Sequence, residues 1–148
     1  MQPKPRDALE EVTADALPRE HVLRRVEDWL ARINSLYDKL TSWVPHGLHV
    51  DRSRTTTMHE ELMIKAGVPP RDLPIMRFER AGEEILVIQP FGLWIIGANG
   101  RLKAFGKKGF ASIVDRAGNF QRPKWEIAVG PDRLKTKPLT KSEFLRLL

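Results

Sequence analysis

From Val22 to Trp43 the apolar residues Val22, Val26, Trp29, Ile33, Leu36, Leu40 and Trp43 recur at spacings of 4, 3, 4, 3, 4 and 3. Side chains three and four apart stack on one side of an α-helix, so this spacing dictates an amphipathic rod with one long apolar stripe. Pro18 suits the first helical turn, and Pro45 with Gly47 forbids continuation. A helix over 18–44 is therefore predicted, roughly 40 Å long at about 1.5 Å per residue. Arg24, Asp28 and Arg32 stand four apart and are assigned to its solvated side. The stripe also has the seven-residue recurrence of a two-chain coiled coil, but fewer than four heptads are present, which favours packing on a sheet of the same chain.

The later residues supply that sheet. Apolar periodicity falls to two in runs near 73–80, 84–89, 93–97, 101–105, 110–115 and 124–129. Gly82, Pro90-Phe91-Gly92, Asn99-Gly100, Gly106 to Gly109 and Gly118-Asn119 separate them with turn chemistry. Short connections between consecutive strands imply an antiparallel meander. Trp125, Ile127 and Val129 alternate with polar or small neighbours, the mark of a strand with one wet face, whereas Ile85 to Ile88 and Leu93 to Ile96 are apolar throughout and need cover on both faces.

Between helix and meander, Thr57 and Glu60 have capping-box spacing and Gly67 offers a left-handed stop, predicting a short second helix; Thr140 and Glu143 repeat the spacing before a closing helix from Lys141. The expected architecture is α+β: a long N-terminal amphipathic helix on a curved antiparallel meander of about six strands, with short helices after the long helix and at the C-terminus. Residues 1–17 are read as a charged, weakly ordered lead-in with a faint apolar trace at Leu9, Val12 and Ala16, and 18–148 as a single domain. The chain is 148 residues long, enough to bury a core without staples.

Catalytic patterns fail one after another. Cysteine is absent, which excludes thiolate nucleophiles, disulfides, iron–sulfur clusters and Cys-ligated zinc. His59-Glu60-Glu61-Leu62-Met63 has methionine where a zincin needs its second histidine, and His46, His49 and Asp51 lack a further ligand. Gly97 to Lys103 lacks the Gly-Lys-Ser/Thr ending of a P-loop, and Asn99-Gly100 between apolar runs reads as a hairpin turn. Ser53, Thr55, Thr56 and Thr57 have no nucleophile elbow around them, and Glu60-Glu61 and Glu83-Glu84 diverge as sequence neighbours. No catalytic residue, metal or cofactor is expected.

Charge points elsewhere. Net charge is +6, yet residues 1–100 carry 13 Lys and Arg against 15 Asp and Glu, and residues 101–148 carry 12 against 4, so the final third alone is +8. Arg101, Lys103, Lys107, Lys108, Arg122 and Lys124, with Trp125 and interleaved Phe105, Phe110 and Phe120, are the candidate macromolecular binding residues. The expected activity is a non-enzymatic intracellular binding module, an accessory or inhibitor-type protein that contacts a protein partner or a second copy of itself as a homodimer. The alternative is a nucleic-acid-binding protein using the basic C-terminal third, and a small-ligand barrel or enzyme stands third. The first twenty residues lack the apolar core of a secretory signal, and the longest apolar stretch, Ile85 to Ala98, is 14 residues and interrupted, so no membrane span and a cytoplasmic location are expected.

Overall fold

The computed structural model describes residues 18–132 and 135–148; the lead-in at 1–17 lies outside the described residues. Helix α1 spans Arg19–Trp43 and buries Val22, Val26, Trp29, Ile33, Leu36, Tyr37 and Leu40. Val44 turns extended ahead of Pro45, as the steric demand of proline on its predecessor requires. The stripe lies on the chain's own sheet, where the aliphatic residues of both elements form one core cluster.

The strands are β1 (Leu48–Asp51), β2 (Thr55–Met58), β3 (Arg71–Pro74), β4 (Met76–Arg80), β5 (Glu83–Ile95), β6 (Ala98–Gly106), β7 (Gly109–Asp115), β8 (Trp125–Val129) and β9 (Lys137–Pro138). Seven of them form an antiparallel sheet in the order β1-β4-β5-β6-β7-β8-β9, and β2 pairs with β3 in a separate ribbon. A short helix α2 (Glu61–Lys65) follows β2, and α3 (Lys141–Leu145) closes the chain with Phe144 buried against Phe78 and Trp43. The α+β reading stands. The side chain of Thr140 accepts from the Glu143 amide at 3.2 Å, the cap its spacing implied, and Gly67 stops α2 at φ +70°.

Several local expectations are corrected. The runs 84–89 and 93–97 are one thirteen-residue strand, β5, because Pro90-Phe91-Gly92 makes a bulge rather than a turn. Asn99-Gly100 is not the hairpin turn either: Ile95 pairs with Ala98, so the chain reverses at Ile96-Gly97, and Ile96 is fully exposed at the tip. Gly100 instead sits inside β6 at φ +101°, where a Cβ would overlap the six-membered ring of Trp29. Glycine is needed there for the close approach of an indole.

Thr57 does not cap α2. It lies in β2 and donates to Asp72 Oδ1 at 2.8 Å across the ribbon, and the Glu60 carboxylate accepts from the Leu93 and Trp94 amides at 2.8 and 3.3 Å. Arg32, expected in solvent, is buried: it donates to Asp28 at 2.6 Å, to Asp115 and to the Gln121 carbonyl. Asp115 also accepts from the Ala117 and Lys124 amides at 3.0 and 2.8 Å. One arginine thus clamps the β7–β8 connection onto α1, with every oxygen of its buried partner in use.

Candidate binding face

Cross-strand register assigns side chains to the two faces of the sheet. Met76, Ile88 and Ala104 form one inner row, and Pro90, Leu102, Ile113 and Ile127 another, under α1. The intervening positions point away from the helix. There Asp51, Arg77, Val87, Phe105 and Phe110 form one row across β1, β4, β5, β6 and β7. Gln89, Lys103, Ser112 and Ala128 form the next, and Arg101, Val114 and Glu126 a third. Among the described residues no helix covers these rows.

The centre of this face is aromatic and cationic. The bulge re-aims Phe91, so that the Lys103 Nζ lies 3.8 Å and the Arg101 guanidinium carbon 4.6 Å from its ring centroid. Phe105 and Phe110 stand directly opposite each other on β6 and β7. Phe91, Phe105 and Phe110 remain 50%, 41% and 38% exposed, whereas Val87, Ser112, Val114 and Ala128 lie low between the longer chains and are buried. Glu60 sets the shape of this region: its two hydrogen bonds fix the backbone immediately after the bulge, and with Trp29, Pro90 and Phe91 it lines a cleft of about 180 Å³ beneath.

Charged networks bound the face at its two ends. Arg77 contacts Asp51, Glu79 and Glu84 at 3.3, 3.4 and 2.7 Å. The Glu84 hydrogen bond holds Arg77 above the ordinary arginine pKa, and hydrogen bonds from Ser53 hold Asp51 below the usual carboxylate range, with the Arg77 charge acting in the same sense. At the other end Arg116 donates to the Gly97 carbonyl at 2.6 Å and pairs with Glu126 at 3.6 Å.

The seven basic and aromatic residues singled out from the sequence fall in four places. Arg101 and Lys103 share the outer face with Phe105 and Phe110. Lys107 and Lys108 make the two-residue turn between β6 and β7, beside that face, with Lys107 paired to Glu83. Arg122 and Lys124 lie in the β7–β8 connection, Arg122 lining a hollow with Ser35 and Lys39 of α1. Trp125 turns inward, 6.2 Å from Trp29 between ring centroids, and Phe120 lies under Arg24 at 4.4 Å beside the helix. The sequence reading missed Phe91, although a proline and a glycine flanking it inside an apolar run are the signature of a bulge as well as of a turn.

His59 meets the Val68 carbonyl at 3.2 Å, and Asp51 is engaged by Ser53 and Arg77; among the described residues no three His, Asp or Glu side chains are grouped to hold a metal ion. No helix among the described residues is long and apolar enough to cross a membrane. Comparison with known proteins finds no family model, no curated sequence and no solved structure that matches this chain.

Proposed function

We propose that this chain is a non-enzymatic binding module that docks an acidic protein partner on the outer face of its sheet. The observation that carries this reading is the cluster of Phe91, Phe105 and Phe110 with Arg101 and Lys103, all on central strands of a sheet whose other face is filled by α1. Aromatic and arginine side chains supply large contact areas at small entropic cost, and they dominate the energetics of protein interfaces. The cations favour acidic groups on the partner. Two copies packed face to face would oppose Lys103 and Arg101 with their own equivalents, which argues for a different chain. Phosphate tracking needs a run of cations, and here Arg122 lies beside α1, away from the face, and Lys107 is engaged by Glu83.

The test uses the tagged full chain recovered from lysate with and without nuclease, beside the double variant Phe105→Ser, Phe110→Ser. The expected result is a protein partner retained after nuclease and lost from the variant, whose circular dichroism and melting temperature stay those of the parent. A retained partner in the variant would overturn the reading. Loss on nuclease treatment would transfer the face to nucleic acid, and a light-scattering mass of two chains that the double substitution reduces to one would transfer it to a second copy.

A further inference from the structure

Of the buried charged side chains among the described residues, Arg25 has the fewest hydrogen bonds. It rises from the buried side of α1, is 7% exposed, and desolvation holds its pKa below the ordinary arginine value despite the opposing fields of Asp28 and Glu60. Its polar contacts are few. Nη2 donates to Asn99 Oδ1 at 2.9 Å, and the guanidinium lies 5.6 Å from the ring centroid of Trp94.

No carboxylate among the described residues is within ion-pair distance of it. Asp28 is held by Arg32 at 2.6 Å, and both oxygens of Glu60 accept from the Leu93 and Trp94 amides. Arg32, two turns along the same helix, has Asp28 and Asp115, so the contrast is between two buried arginines of which only one has acids in contact. A buried cation without a counter-charge is among the costliest groups a fold can hold.

The surroundings of Arg25 are rich in donors. Arg25 Nε, Trp29 Nε1 and Trp94 Nε1 are all buried and none has a protein acceptor. Positions 25 and 29 are neighbours on one helical face, and the Trp94 ring lies beside the Arg25 guanidinium. Trp29 also walls the 180 Å³ cleft beneath the bulge, and Trp94 borders an open groove of about 780 Å³ at the tip of the β5–β6 hairpin. Arg101, Arg116 and Asp132 stand on the groove's walls, and Arg116 is paired with Glu126 at 3.6 Å.

We infer that Arg25, with Asn99 and the indole N–H groups of Trp29 and Trp94, forms a receptor for a small oxyanion, a carboxylate or phosphate group. Two guanidinium N–H bonds to one oxyanion and a third donor from an indole would meet both the charge and the hydrogen-bonding demand at this point. Asn99 is the positioning residue: its amide oxygen aims the guanidinium and leaves the arginine's charge for the ligand. An aspartate there would satisfy Arg25 from within.

Full-length protein is melted at constant ionic strength while chloride is exchanged for inorganic phosphate or, separately, for acetate, and the tryptophan indole N–H resonances are followed by NMR in the same titrations. The expected result is a melting temperature that climbs with the logarithm of one oxyanion's concentration, with the Trp29 and Trp94 indole signals moving over the same range. The arm that responds at lower concentration identifies phosphate or carboxylate as the preferred group. Asn99→Asp is expected to melt higher than the parent in chloride and to lose the response to both. A parent protein indifferent to both oxyanions would mean that water alone serves these donors, and an Asn99→Asp variant that keeps the response would place the anion elsewhere; either result overturns the inference.

Discussion

On the helix side the sheet presents Met76, Ile88, Leu102, Ile113 and Ile127, each with no exposed surface, and one residue away on the same strands the other side presents Arg77, Gln89, Lys103, Ser112 and Glu126. Identical backbone pairing serves both sets. The difference lies in what covers them: α1 completes the inner face, and the outer face covers itself only in part, by laying Lys103 and Arg101 over Phe91. Stability is therefore concentrated on one side of the strands, and the recognition proposed for this chain falls on the other. Substitutions separated by a single residue should fall into different classes of effect.

The inner face should give the largest stability losses. Trp29 is completely buried between α1 and Gly100, and Trp29→Ala is expected to cost about 3–5 kcal/mol in chemical denaturation. A loss under 1 kcal/mol would mean that this part of the inner face is not a packed core. Asp115→Ala should come next, at about 3 kcal/mol or more, because it strands Arg32 and two backbone amides without their shared acceptor. Hydrogen exchange should then speed up over 116–124 before it does elsewhere, since that connection is clamped through Asp115 and Arg32.

Tyr37 gives a smaller, pH-dependent effect. Its hydroxyl donates to the Pro74 carbonyl at 2.9 Å and contacts the Ile88 carbonyl at 3.3 Å, so Tyr37→Phe is expected to cost about 1–2 kcal/mol at neutral pH. Burial raises the tyrosine pKa above its ordinary value near 10, which means that the folded state holds the neutral form more tightly than the unfolded chain does. That contribution is complete below about pH 10 and is lost as pH rises above it. The stability gap between parent and Tyr37→Phe should therefore narrow above pH 10 in urea titrations; a gap that stays constant would contradict the buried, neutral hydroxyl.

The outer face should give the smallest stability change and sharpen the comparison most. Phe105→Ser with Phe110→Ser is expected to shift unfolding by no more than about 0.5 kcal/mol per residue, because both rings are already partly in water. A loss comparable to that at Trp29 would show that the two faces are not divided between folding and binding.

How much of this was legible in the residues differs from element to element. The spacing from Val22 to Trp43 specified α1 and its buried stripe, because a helix repeats its geometry every few residues and needs no distant partner to set the pattern. The same holds for the alternating strands and for the Thr140 cap, where the hydrogen bond joins residues three apart. Turn chemistry was ambiguous in itself. Asn99-Gly100 reads as a hairpin signal, yet Gly100 is required by Trp29, seventy-one positions earlier in the chain. Pro90-Phe91-Gly92 reads as a break, yet β6 continues the ladder past it.

The candidate face was half legible for a related reason. Its rows can be listed only once register is known, and register joins Lys103 to Gln89 and Ser112, Phe105 to Val87 and Phe110. Charge counting placed the basic residues in the last third of the chain but could not say that Arg122 and Trp125 would turn towards α1 while Arg101 and Lys103 turned away. Arg25 and Arg32 looked like any helical arginines, and only the close approach of Asn99 and Asp115 gave one a neutral amide partner and the other a carboxylate to clamp. The sequence by itself determined α1, the alternation along the central strands and the closing helix, because local periodicity and backbone sterics act over a few residues; the tertiary structure decided where strands break or run on and which side chains meet, because contacts, burial and electrostatics depend on distances that the order of residues along a chain does not contain.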